Sequence, residues 1–389
     1  MQPAFKSKPG FDERPLVAIW EVTQACDLAC VHCRASAQPF RHPFELTTLE
    51  AQHLIQEIAD MQVPIFVLTG GDPLKRPDIY AIVEYAARKG VRPALTPSAT
   101  ALLTKEAVFD LKRCGLKRLA VSLDGSCPEV HDGIRGISGS FQRTLDSIQW
   151  ANECGLPLQV NTVVSRRNLP DLPEALKVLE KSRIVLWSVF FLVPTGRGQA
   201  ADLLAGAEFE EVFGFLYRSS KQVKFHIKTT EAQHYRRYVI QQKAAEKLRG
   251  EASAEVEGDG EGDVPASIPE MLSRSRPGVN DAKGFVFVSH VGEVYPSGFL
   301  PLSAGNVRRQ TLGEIYRESP LFVALRDPDR LKGKCRQCEF RQLCGGSRAR
   351  AFALTGDPLG EEPCCTYQPG GWQEMQQAAM LAQAAASAD

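Results

Sequence analysis

The first half of the chain alternates apolar, strand-like runs with segments whose apolar positions recur at a helical period. Thr47 and Glu50 form a capping-box pattern, and Leu54 and Ile58 then share one face, which predicts a helix after the first run. Later helical segments end at glycines, and each is followed by another strand-like run. The runs are LVAIWEV (16–22), IFVLTGG (65–71), RPALTP (92–97), KRLAVSL (117–123), PLQVNTVV (157–164) and VLWSVFFLV (185–193).

This order of β-then-α units predicts the fold class. Short loops between the units indicate an α/β protein with a parallel sheet and right-handed crossovers. The units are too few for a closed eight-unit barrel, so we expect a partial (β/α)6 barrel. In such a fold the chemistry belongs at the carboxyl ends of the strands, where this chain carries the motifs TGGDP, TPSAT, SLDG and PTGRG.

The pattern changes after residue 200. Residues 206–248 have a helical pattern, and residues 249–267 are acidic and glycine-rich, which predicts a flexible loop. FVFVSHVGEVYPSG (285–298) predicts a hairpin that turns near Gly292, and a cysteine-rich tail follows. We expect a barrel domain, a helical linker and a small C-terminal domain, over residues 1–200, 201–280 and 281–389.

Composition and charge narrow the range of partners. The 389-residue chain has 46 Lys and Arg against 46 Asp and Glu, which gives no support for a nucleic-acid surface or a polybasic membrane anchor. The N-terminus lacks the apolar core of a signal peptide. The sequence contains no run of about 18 apolar residues, so no membrane span is predicted. We therefore expect a cytoplasmic protein whose 11 cysteines are metal ligands or core thiols rather than disulfides.

Three cysteines, Cys26, Cys30 and Cys33, follow the first strand-like run in one loop. Three thiolates can ligate three irons of a [4Fe–4S] cluster, whose usual set of cysteine ligands is four. No fourth cysteine is near, so one iron is left open to bind another molecule. A zinc site or a set of core cysteines is the alternative, but zinc favours paired CxxC knuckles, and core cysteines would not cluster in a loop.

This CxxxCxxC motif is the hallmark of the radical S-adenosylmethionine (SAM) superfamily, which the chain resembles over about residues 14–195. The resemblance implies that the open iron takes the amino and carboxylate groups of SAM. It also implies that electron transfer from the cluster breaks a carbon–sulfur bond of SAM and yields a 5′-deoxyadenosyl radical, which abstracts a hydrogen from the substrate. No catalytic side chain is expected beyond the cluster and SAM.

The resemblance also suggests residues that contact SAM. His32 fills the position before the last cysteine where family members back the adenine, and a structural role in the loop is the alternative. Gly70, Gly71 and Asp72 look like the family's GGEP-type loop, with Asp in place of Glu. Glycines let backbone groups approach a ligand closely, and the carboxylate can accept hydrogen bonds from the methionyl amine. Alone, a glycine turn after a strand is often only a turn.

Ser122 and Asp124 end the fourth strand-like run and resemble the SxDG element of the peptide- and cofactor-modifying branch. The resemblance places Ser122 on the methionyl group and Asp124 near the ribose or the substrate. Arg135, in the stretch HDGIRG, could clamp the methionyl carboxylate, because a guanidinium binds carboxylates bidentately. Ser98 and Asn161 are further candidates for SAM binding. For each of these residues a turn or cap role is the alternative.

A second group of cysteines lies in the tail, at Cys335, Cys338, Cys344 and the adjacent pair Cys364 and Cys365. A zinc ribbon is the alternative here. The spacing after the CxxC pair and the first cluster upstream favour a second [4Fe–4S] cluster. Only one cysteine of the adjacent pair need be a ligand, and we assign Cys364. Four thiolates close the cluster, which indicates electron transfer or substrate positioning rather than SAM cleavage.

The tail resembles in part the SPASM or twitch extension of the same superfamily. The full extension binds two auxiliary clusters, with a further cysteine where this chain has Arg348 and an earlier pair where it has Ser297. We therefore expect two [4Fe–4S] clusters in total, of which one binds SAM and one is auxiliary.

Several stretches resemble the branch that makes haem d1 and makes haem by the alternative sirohaem route, and whose members remove acetate- or propionate-derived groups from a tetrapyrrole edge. A tetrapyrrole is therefore the expected substrate. Arg197, Arg308, Arg348 and Arg350 could pair with its carboxylates, or alternatively tune the clusters or line the surface. The stretches are FFLVPTGRG (190–198), VYPSGFLPLSAGNVR (294–308), SPLFVALRDP (319–328) and residues 338–364.

Two other functions stay open at this point. A peptide-maturation enzyme would form a thioether or carbon–carbon bond in a ribosomally made precursor, but such enzymes often carry an N-terminal peptide-docking domain, for which the short segment before the first strand leaves no room. A non-catalytic iron–sulfur electron carrier is the third possibility, and the SAM-loop motifs argue against it. The family resemblance implies a flavodoxin or ferredoxin as the electron donor.

Overall fold

Seven parallel strands alternate with helices in the N-terminal part of the chain. This computed structural model describes residues 10–248 and 278–371, without the side chains of residues 247 and 248. The strands are β1 (Val17–Glu21), β2 (Ile65–Thr69), β3 (Pro93–Leu95), β4 (Arg118–Ser122), β5 (Leu158–Val164), β6 (Leu186–Phe191) and β7 (His226–Thr230). The helices are α1 (Thr48–Asp60), α2 (Ile79–Arg88), α3 (Lys105–Arg113), α4 (Pro128–Arg135), α5 (Ser140–Glu153), α6 (Leu172–Glu180), α7 (Gly206–Ser220) and α8 (Tyr235–Leu248).

The C-terminal part adds a hairpin and four short helices. Strand β8 pairs with β9 in the predicted hairpin, and Gly292 has φ 86° at its turn, a left-handed conformation that glycine adopts without strain. The remaining elements are β8 (Phe285–Val288), β9 (Glu293–Tyr295), β10 (Gly305–Asn306), α9 (Leu312–Glu318), α10 (Pro320–Arg326), α11 (Gly333–Gln337) and α12 (Arg348–Thr355).

All ten strands belong to one sheet, in the order β10-β9-β8-β1-β2-β3-β4-β5-β6-β7. Strands β1 to β7 pair in chain order and in parallel, which confirms the α/β class and the six predicted units. Strand β8 pairs in parallel with β1, so the C-terminal extension continues the sheet of the N-terminal part. The capping box of α1 is also confirmed, since Glu50 N–H donates to Thr47 Oγ1 at 3.3 Å and Thr47 N–H donates to Glu50 Oε2 at 2.7 Å.

Alternation along the strands gives the sheet two different faces. Trp20, Phe66, Val121 and Trp187 are fully buried in one continuous core with the apolar sides of the helices. Their strand neighbours point to the opposite face, which we call the inner face, and do not belong to that core. The inner face includes Ile19, Val67, Ala94, Arg118, Ser122, Gln159, Asn161, Ser188, Phe190 and Lys228.

The segment expected to be a helical linker contains a strand that the sequence analysis missed. Strand β7, HIKTT, lies between α7 and α8 and pairs with β6. It is short, polar and at the sheet edge, so it lacks the apolar run by which the other strands were recognised. The predicted acidic loop at 249–267 lies outside the described residues. No helix within residues 10–248 and 278–371 is long and apolar enough to cross a membrane.

The C-terminal extension contacts β1, at one edge of the parallel part of the sheet, and the segment that follows β7, at the other edge. Beyond its pairing with β1, it reaches the segment after β7, where Arg236 Nη1 donates to Leu343 O at 3.0 Å and Nη2 donates to Val279 O at 2.9 Å. Gln233 Nε2 also donates to Asn280 Oδ1 at 2.9 Å. The extension therefore connects the β1 side with the β7 side, next to the inner face.

Candidate active site and auxiliary cavity

The first three cysteines lie in the loop after β1, which we call the cluster loop (residues 23–38). Cys26 and Cys30 are buried and pack with Leu28, and Cys33 is partly buried against them. All three are free thiols. The structure thus brings the three cysteines together at the carboxyl end of the first strand, where the sequence analysis expects the chemistry.

Gly70 and Gly71, which follow β2, pack directly against the backbone of the cluster loop. Gly71 N–H donates to Thr23 O at 2.8 Å, and the next residue donates its N–H to Ala25 O at 2.7 Å. A Cβ atom at Gly71 would lie 2.5 Å from the carbonyl oxygens of Gln24 and Ala25. These glycines are therefore required for close packing of β2 on the cluster loop, and their contact with SAM stays a prediction.

Arg197, in the PTGRG turn after β6, also binds the backbone of the cluster loop. Its Nε donates to Cys30 O at 2.9 Å, its Nη1 donates to Ala37 O at 3.2 Å, and its backbone N–H donates to Cys33 O at 2.9 Å. Its buried Nη2 has no partner within the described residues. From the sequence, Arg197 could either bind a macrocycle carboxylate or tune a cluster or line the surface, and the distant turn gave no sign that it folds onto the cysteines.

Asp72 is fully buried and organises the loop after β3. Its Oδ2 accepts a hydrogen bond from Thr100 Oγ1 at 2.7 Å, and its Oδ1 accepts from Leu74 N–H at 3.1 Å. Burial raises the pKa of Asp72. Ser98 Oγ donates to Gly71 O at 2.9 Å and lies 3.5 Å from Cys26 Sγ. The structure therefore brings the predicted residues Asp72 and Ser98 together beside the first cysteine.

Asp124 is the most connected group of the site. Its Oδ2 lies 3.0 Å from His32 Nε2 and 3.2 Å from Arg135 Nη1, and its Oδ1 accepts from Val163 N–H at 2.8 Å. Burial raises the pKa of Asp124, but its interactions with His32 and with the Arg135 guanidinium outweigh burial and hold that pKa well below its usual range. Three residues predicted separately thus form one buried ionic group next to the cysteines.

His131 belongs to this group, although the sequence analysis did not select it from HDGIRG. Burial lowers the pKa of His131 to about 4, so its imidazole is neutral near pH 7. Its Nδ1 accepts the Asp124 backbone N–H at 3.0 Å, which leaves Nε2 to donate to Ser140 Oγ at 3.3 Å. His131 therefore orients the turn that carries Asp124.

Arg135 is buried between Asp124 and the cysteine thiols. Burial lowers the pKa of Arg135, but Cys30 and Asp124 raise it by more, so the guanidinium stays charged. Burial also raises the pKa of the Cys30 thiol, and Arg135 acts in the opposite direction. A fixed positive charge beside these thiols suits a site that must hold them as thiolates on a cluster.

Ser122 and Asn161 are cross-strand neighbours on the inner face, where β4 pairs with β5. Asn161 in turn pairs with Ser188 of β6, and Ser188 pairs with Lys228 of β7. Residues directly opposite in a parallel sheet share a face, so these four side chains form a polar row across four strands. The row lies level with the last residue of β4 and near the middle of β5, β6 and β7.

A second cavity is built by the C-terminal cysteines. It is lined by Cys335, Cys338, Cys344 and Cys365. Burial raises the pKa of the Cys338 thiol to about 12, and burial also raises the pKa of Cys344. Such thiols are neutral at pH 7 unless metal binding compensates for their ionisation. We call this the auxiliary cavity.

The assignment of Cys364 to this group needs correction. Its side chain is buried in the main hydrophobic core, and its Sγ lies 3.9 Å from Leu204 O. Cys365 lines the auxiliary cavity instead. The two cysteines lie in a turn in which Cys365 N–H donates to Glu362 O at 3.3 Å, and this turn directs one of the pair into the core and the other to the cavity.

The polar side chains that line the auxiliary cavity also suit an iron–sulfur cluster. His234 lines it with a fully buried imidazole, and neither ring nitrogen has a partner within the part of the chain that the structure describes. Arg237 lines it too, and its buried Nε is likewise unpartnered there. Among the described residues, no three His, Cys, Asp or Glu side chains are close enough to hold a single metal ion. A cubane cluster needs no such group, because each of its cysteine thiolates binds a different iron.

Arg348 and Ser297, at positions where the resemblance to the full extension leads one to expect cysteines, bond to protein groups instead. Arg348 is buried and donates to Pro358 O at 3.1 Å. Asp281 is buried beside it and accepts from the Arg348 backbone N–H at 3.2 Å. Ser297 is buried and bonded to the same carboxylate, and this bond works against the rise that burial gives to the pKa of Asp281. This arrangement supports a single auxiliary cluster.

Arg308 and Arg350 also bond to protein groups, which favours a structural role over the macrocycle contact that the sequence left open for them. Arg308 Nε pairs with Glu50 Oε1 at 2.6 Å near the surface. Arg350 Nε pairs with Glu362 Oε1 at 3.0 Å, with both side chains buried. With Arg197 and Arg348, all four arginines bond to protein groups within the described residues, and of these four only Arg197 keeps a buried donor, Nη2, without a partner there.

Comparison with known proteins agrees with this geometry. Residues 20–179 match the radical SAM superfamily, and residues 281–339 match an iron–sulfur cluster-binding domain. An AdoMet-dependent heme synthase of Methanosarcina barkeri is 42% identical over 92% of this chain and 97% of that protein, and one of Oleidesulfovibrio alaskensis is 39% identical over 90% and 87%. The solved structure of Streptococcus suis SuiB bound to S-adenosylmethionine shares the fold, with a TM-score of 0.69 at 16% identity over 91% of this chain and 78% of that one.

The chain is therefore an enzyme, and the non-catalytic carrier is excluded. Its cofactors are a [4Fe–4S] cluster, S-adenosylmethionine and an auxiliary iron–sulfur cluster. The structure brings the cysteines of the cluster loop together and lines the auxiliary cavity with the other four. The protein belongs to the radical SAM superfamily, in the branch that contains the AdoMet-dependent heme synthases.

Proposed function

We propose that this enzyme acts on a carboxyl-bearing tetrapyrrole and removes carboxyl-derived groups from its edge during haem formation. The relatives that are 42% and 39% identical bear the name heme synthase, and they match this chain over about nine-tenths of its length. Cofactors alone do not select a substrate, because one fold can serve many reactions. Support for the substrate must therefore come from the surface next to the cluster loop.

The observation that carries the proposal is the mixed character of the inner face. Ile19, Val67 and Ala94, on β1 to β3, are apolar and only half-buried. On β4 to β7 the same face carries the polar row and the cations Arg118 and Lys228. A tetrapyrrole is a flat apolar ring with ionised side chains at its edge, so it matches both halves of this face.

The cofactors and the fold define the chemistry of the proposed reaction. When bound, the first cluster and SAM supply a 5′-deoxyadenosyl radical that takes a hydrogen atom from the substrate. A propionate that loses a hydrogen atom and then carbon dioxide leaves a vinyl group and one electron. The auxiliary cavity offers an acceptor for that electron, and a flavodoxin or ferredoxin would supply the electron that cleaves SAM.

The chain's own residues have separate roles in this proposal. Cys26, Cys30 and Cys33 hold the first cluster, and Arg135 neutralises charge beside it. Ser122 and Asn161 bind SAM along the polar row. The remaining predicted contacts, His32, Gly70, Gly71, Asp72, Ser98 and Asp124, position the loops around SAM, while Cys335, Cys338, Cys344 and Cys365 hold the auxiliary cluster.

Anaerobic turnover assays test the proposal. Enzyme with both clusters reconstituted, SAM and a reductant are mixed with iron coproporphyrin III or with a small peptide encoded beside the enzyme's gene. Loss of mass from the porphyrin, in step with 5′-deoxyadenosine formation, is expected. A mass change in the peptide and none in the porphyrin would instead establish peptide maturation. The Cys338→Ala variant is the control, since it should retain some SAM cleavage and lose porphyrin turnover.

A further inference from the structure

Basic side chains gather at the inner face without carboxylate partners among residues 10–248 and 278–371. The charges that act on Lys228 within the described residues are those of Arg236 and Arg118, both positive. Arg118 in turn is close to Arg92, again a cation. Arg236 donates to two backbone carbonyls, and no carboxylate in the part of the chain that the structure describes pairs with it. A group of uncompensated cations disfavours the folded state unless an anion joins it, which marks this place as a candidate anion site.

Strand register places Arg118 and Lys228 on the same surface. Arg118 is four residues before Ser122 on β4, so strand alternation puts both side chains on the inner face. Lys228 lies opposite Ser188, which lies opposite Asn161, which lies opposite Ser122. Lys228 therefore ends the polar row, and Arg118 lies on the side of that row away from the cluster loop.

The environment of Lys228 disfavours its positive charge although its side chain is exposed to solvent. Burial is the main cause that lowers the pKa of its ammonium, followed by the repulsion of Arg236 and Arg118. A bound carboxylate would relieve the repulsion and replace the lost hydration of the ammonium.

We propose that Arg118 and Lys228 bind the carboxylates of the substrate at the inner face. The inference rests on the proposed function and names the residues that fix the ring. Arg236, next to Lys228, donates to Leu343 O, and Leu343 adjoins Cys344 of the auxiliary cavity. A ring anchored by Lys228 would thus lie between the cluster loop and the auxiliary cavity, where it can lose a hydrogen atom on one side and an electron on the other.

Binding of two matched porphyrins to the holoenzyme tests this anchor. The ligands are iron coproporphyrin III, whose propionates are ionised at neutral pH, and its uncharged tetramethyl ester. Lys228→Met and Arg118→Gln should each weaken binding of the acid by about 10- to 100-fold, as expected for one charge-assisted contact, and leave binding of the ester unchanged. Lys224→Met and Arg183→Gln, at exposed positions off the inner face, are the matched controls.

The outcomes separate the anchor from the proposed function. If the wild type binds neither porphyrin, the proposed function fails and the anchor fails with it. If the wild type turns over the acid but both variants bind it with wild-type affinity, only the anchor is wrong. If the variants weaken binding of SAM instead, measured as 5′-deoxyadenosine formed without porphyrin, the cations serve the cofactor and the anchor is also wrong.

A different observation carries a second inference, about the auxiliary cavity. His234 is fully buried between the rings of Phe209 and Phe213, at centroid distances of 5.1 and 4.8 Å, so it is fixed in place. Neither of its nitrogens has a partner within the described residues, and neither does the buried Nε of Arg237. Both side chains line the auxiliary cavity. Unpaired buried donors are costly, and they are here placed beside the cysteine sulfurs.

The geometry points to His234 as a hydrogen-bond donor to a sulfur of the auxiliary cluster, with Arg237 as a second donor. Hydrogen bonds to cluster sulfurs stabilise the reduced, more negative state and so raise the reduction potential. His234→Gln should lower the potential of the auxiliary cluster and leave that of the first cluster unchanged, as measured by EPR-monitored redox titration. His226→Gln, at an exposed position on β7, is the control.

A measurement on the unaltered residue covers the case in which His234→Gln does not fold. Protein labelled with ¹⁵N-histidine and carrying Cys26→Ala, which removes the first cluster, should show ¹⁵N hyperfine coupling to the reduced auxiliary cluster. Absence of that coupling, or an unchanged potential in a folded His234→Gln protein, overturns this role.

Discussion

The adjacent cysteines near the C-terminus give a sharp test, because the structure separates two residues that are neighbours in sequence. Cys365 lines the auxiliary cavity with three other cysteines, while Cys364 is 8% exposed and packs in the main core. Cys365→Ala should therefore remove a ligand of the auxiliary cluster. Cys364→Ala should leave every ligand of both clusters in place.

The structure also sets the energetic cost of the control. Cys364→Ala deletes one buried sulfur from an apolar environment, about the size of a methylene, which costs about 1–2 kcal/mol from lost burial and the small cavity left behind. Domains are commonly stable by about 5–15 kcal/mol, so this variant should still fold. Cys365→Ala deletes less packing, since that side chain is only partly buried, and yet should have the larger effect on iron content.

Iron and sulfide content, with EPR spectra of the reduced proteins, measure the outcome after anaerobic reconstitution. Cys365→Ala should lose about half of the cluster iron and still form 5′-deoxyadenosine, because the SAM-binding cluster is intact. Cys364→Ala should match the wild type in iron and differ slightly in unfolding midpoint. If Cys364→Ala loses the auxiliary signal while Cys365→Ala keeps it, the placement of this pair is wrong.

Three further predictions concern buried groups. Asp124→Asn leaves Arg135 without its buried partner and should destabilise the fold by about 3–5 kcal/mol in urea unfolding, so a cost below 1 kcal/mol would contradict the ionic group. Gly71→Ala places a Cβ 2.5 Å from Ala25 O and should prevent assembly of the first cluster but spare the auxiliary one, as iron analysis would reveal. Burial raises the pKa of Glu231 from 4.5 to about 8, so the folded state holds a proton that the unfolded state releases, and unfolding free energy should fall as pH rises between these values. Glu231→Gln, which mimics the protonated acid, should show a smaller fall between about pH 5 and pH 8, and an unchanged slope would exclude this source of pH dependence.

Local patterns in the sequence were sufficient for the repeating units and for the first cluster loop. Apolar runs and helix caps depend on residues a few positions apart, and the capping box at Thr47 formed as predicted. The cysteines of CxxxCxxC are close in sequence, so one loop can bring them together. Strand β7 was missed because an exposed, polar edge strand need not have an apolar run.

Partners that lie far apart in sequence were decided by the tertiary structure alone. Arg197 bonds a loop more than 150 residues away, at Cys30 O, and so could not be distinguished from an arginine free to bind substrate. Arg350 is likewise buried against Glu362 rather than open to a ligand.

The sequence by itself determined the alternation of strands and helices, the two groups of cysteines and hence the class of chemistry, because each depends on spacing along the chain. Only the tertiary structure decided that Cys365 rather than Cys364 faces the auxiliary cavity, and that Lys228 lies near Arg118. The physical reason is that a side chain's environment is set by which strands and loops pack against it, and that packing joins residues with no local relation to each other.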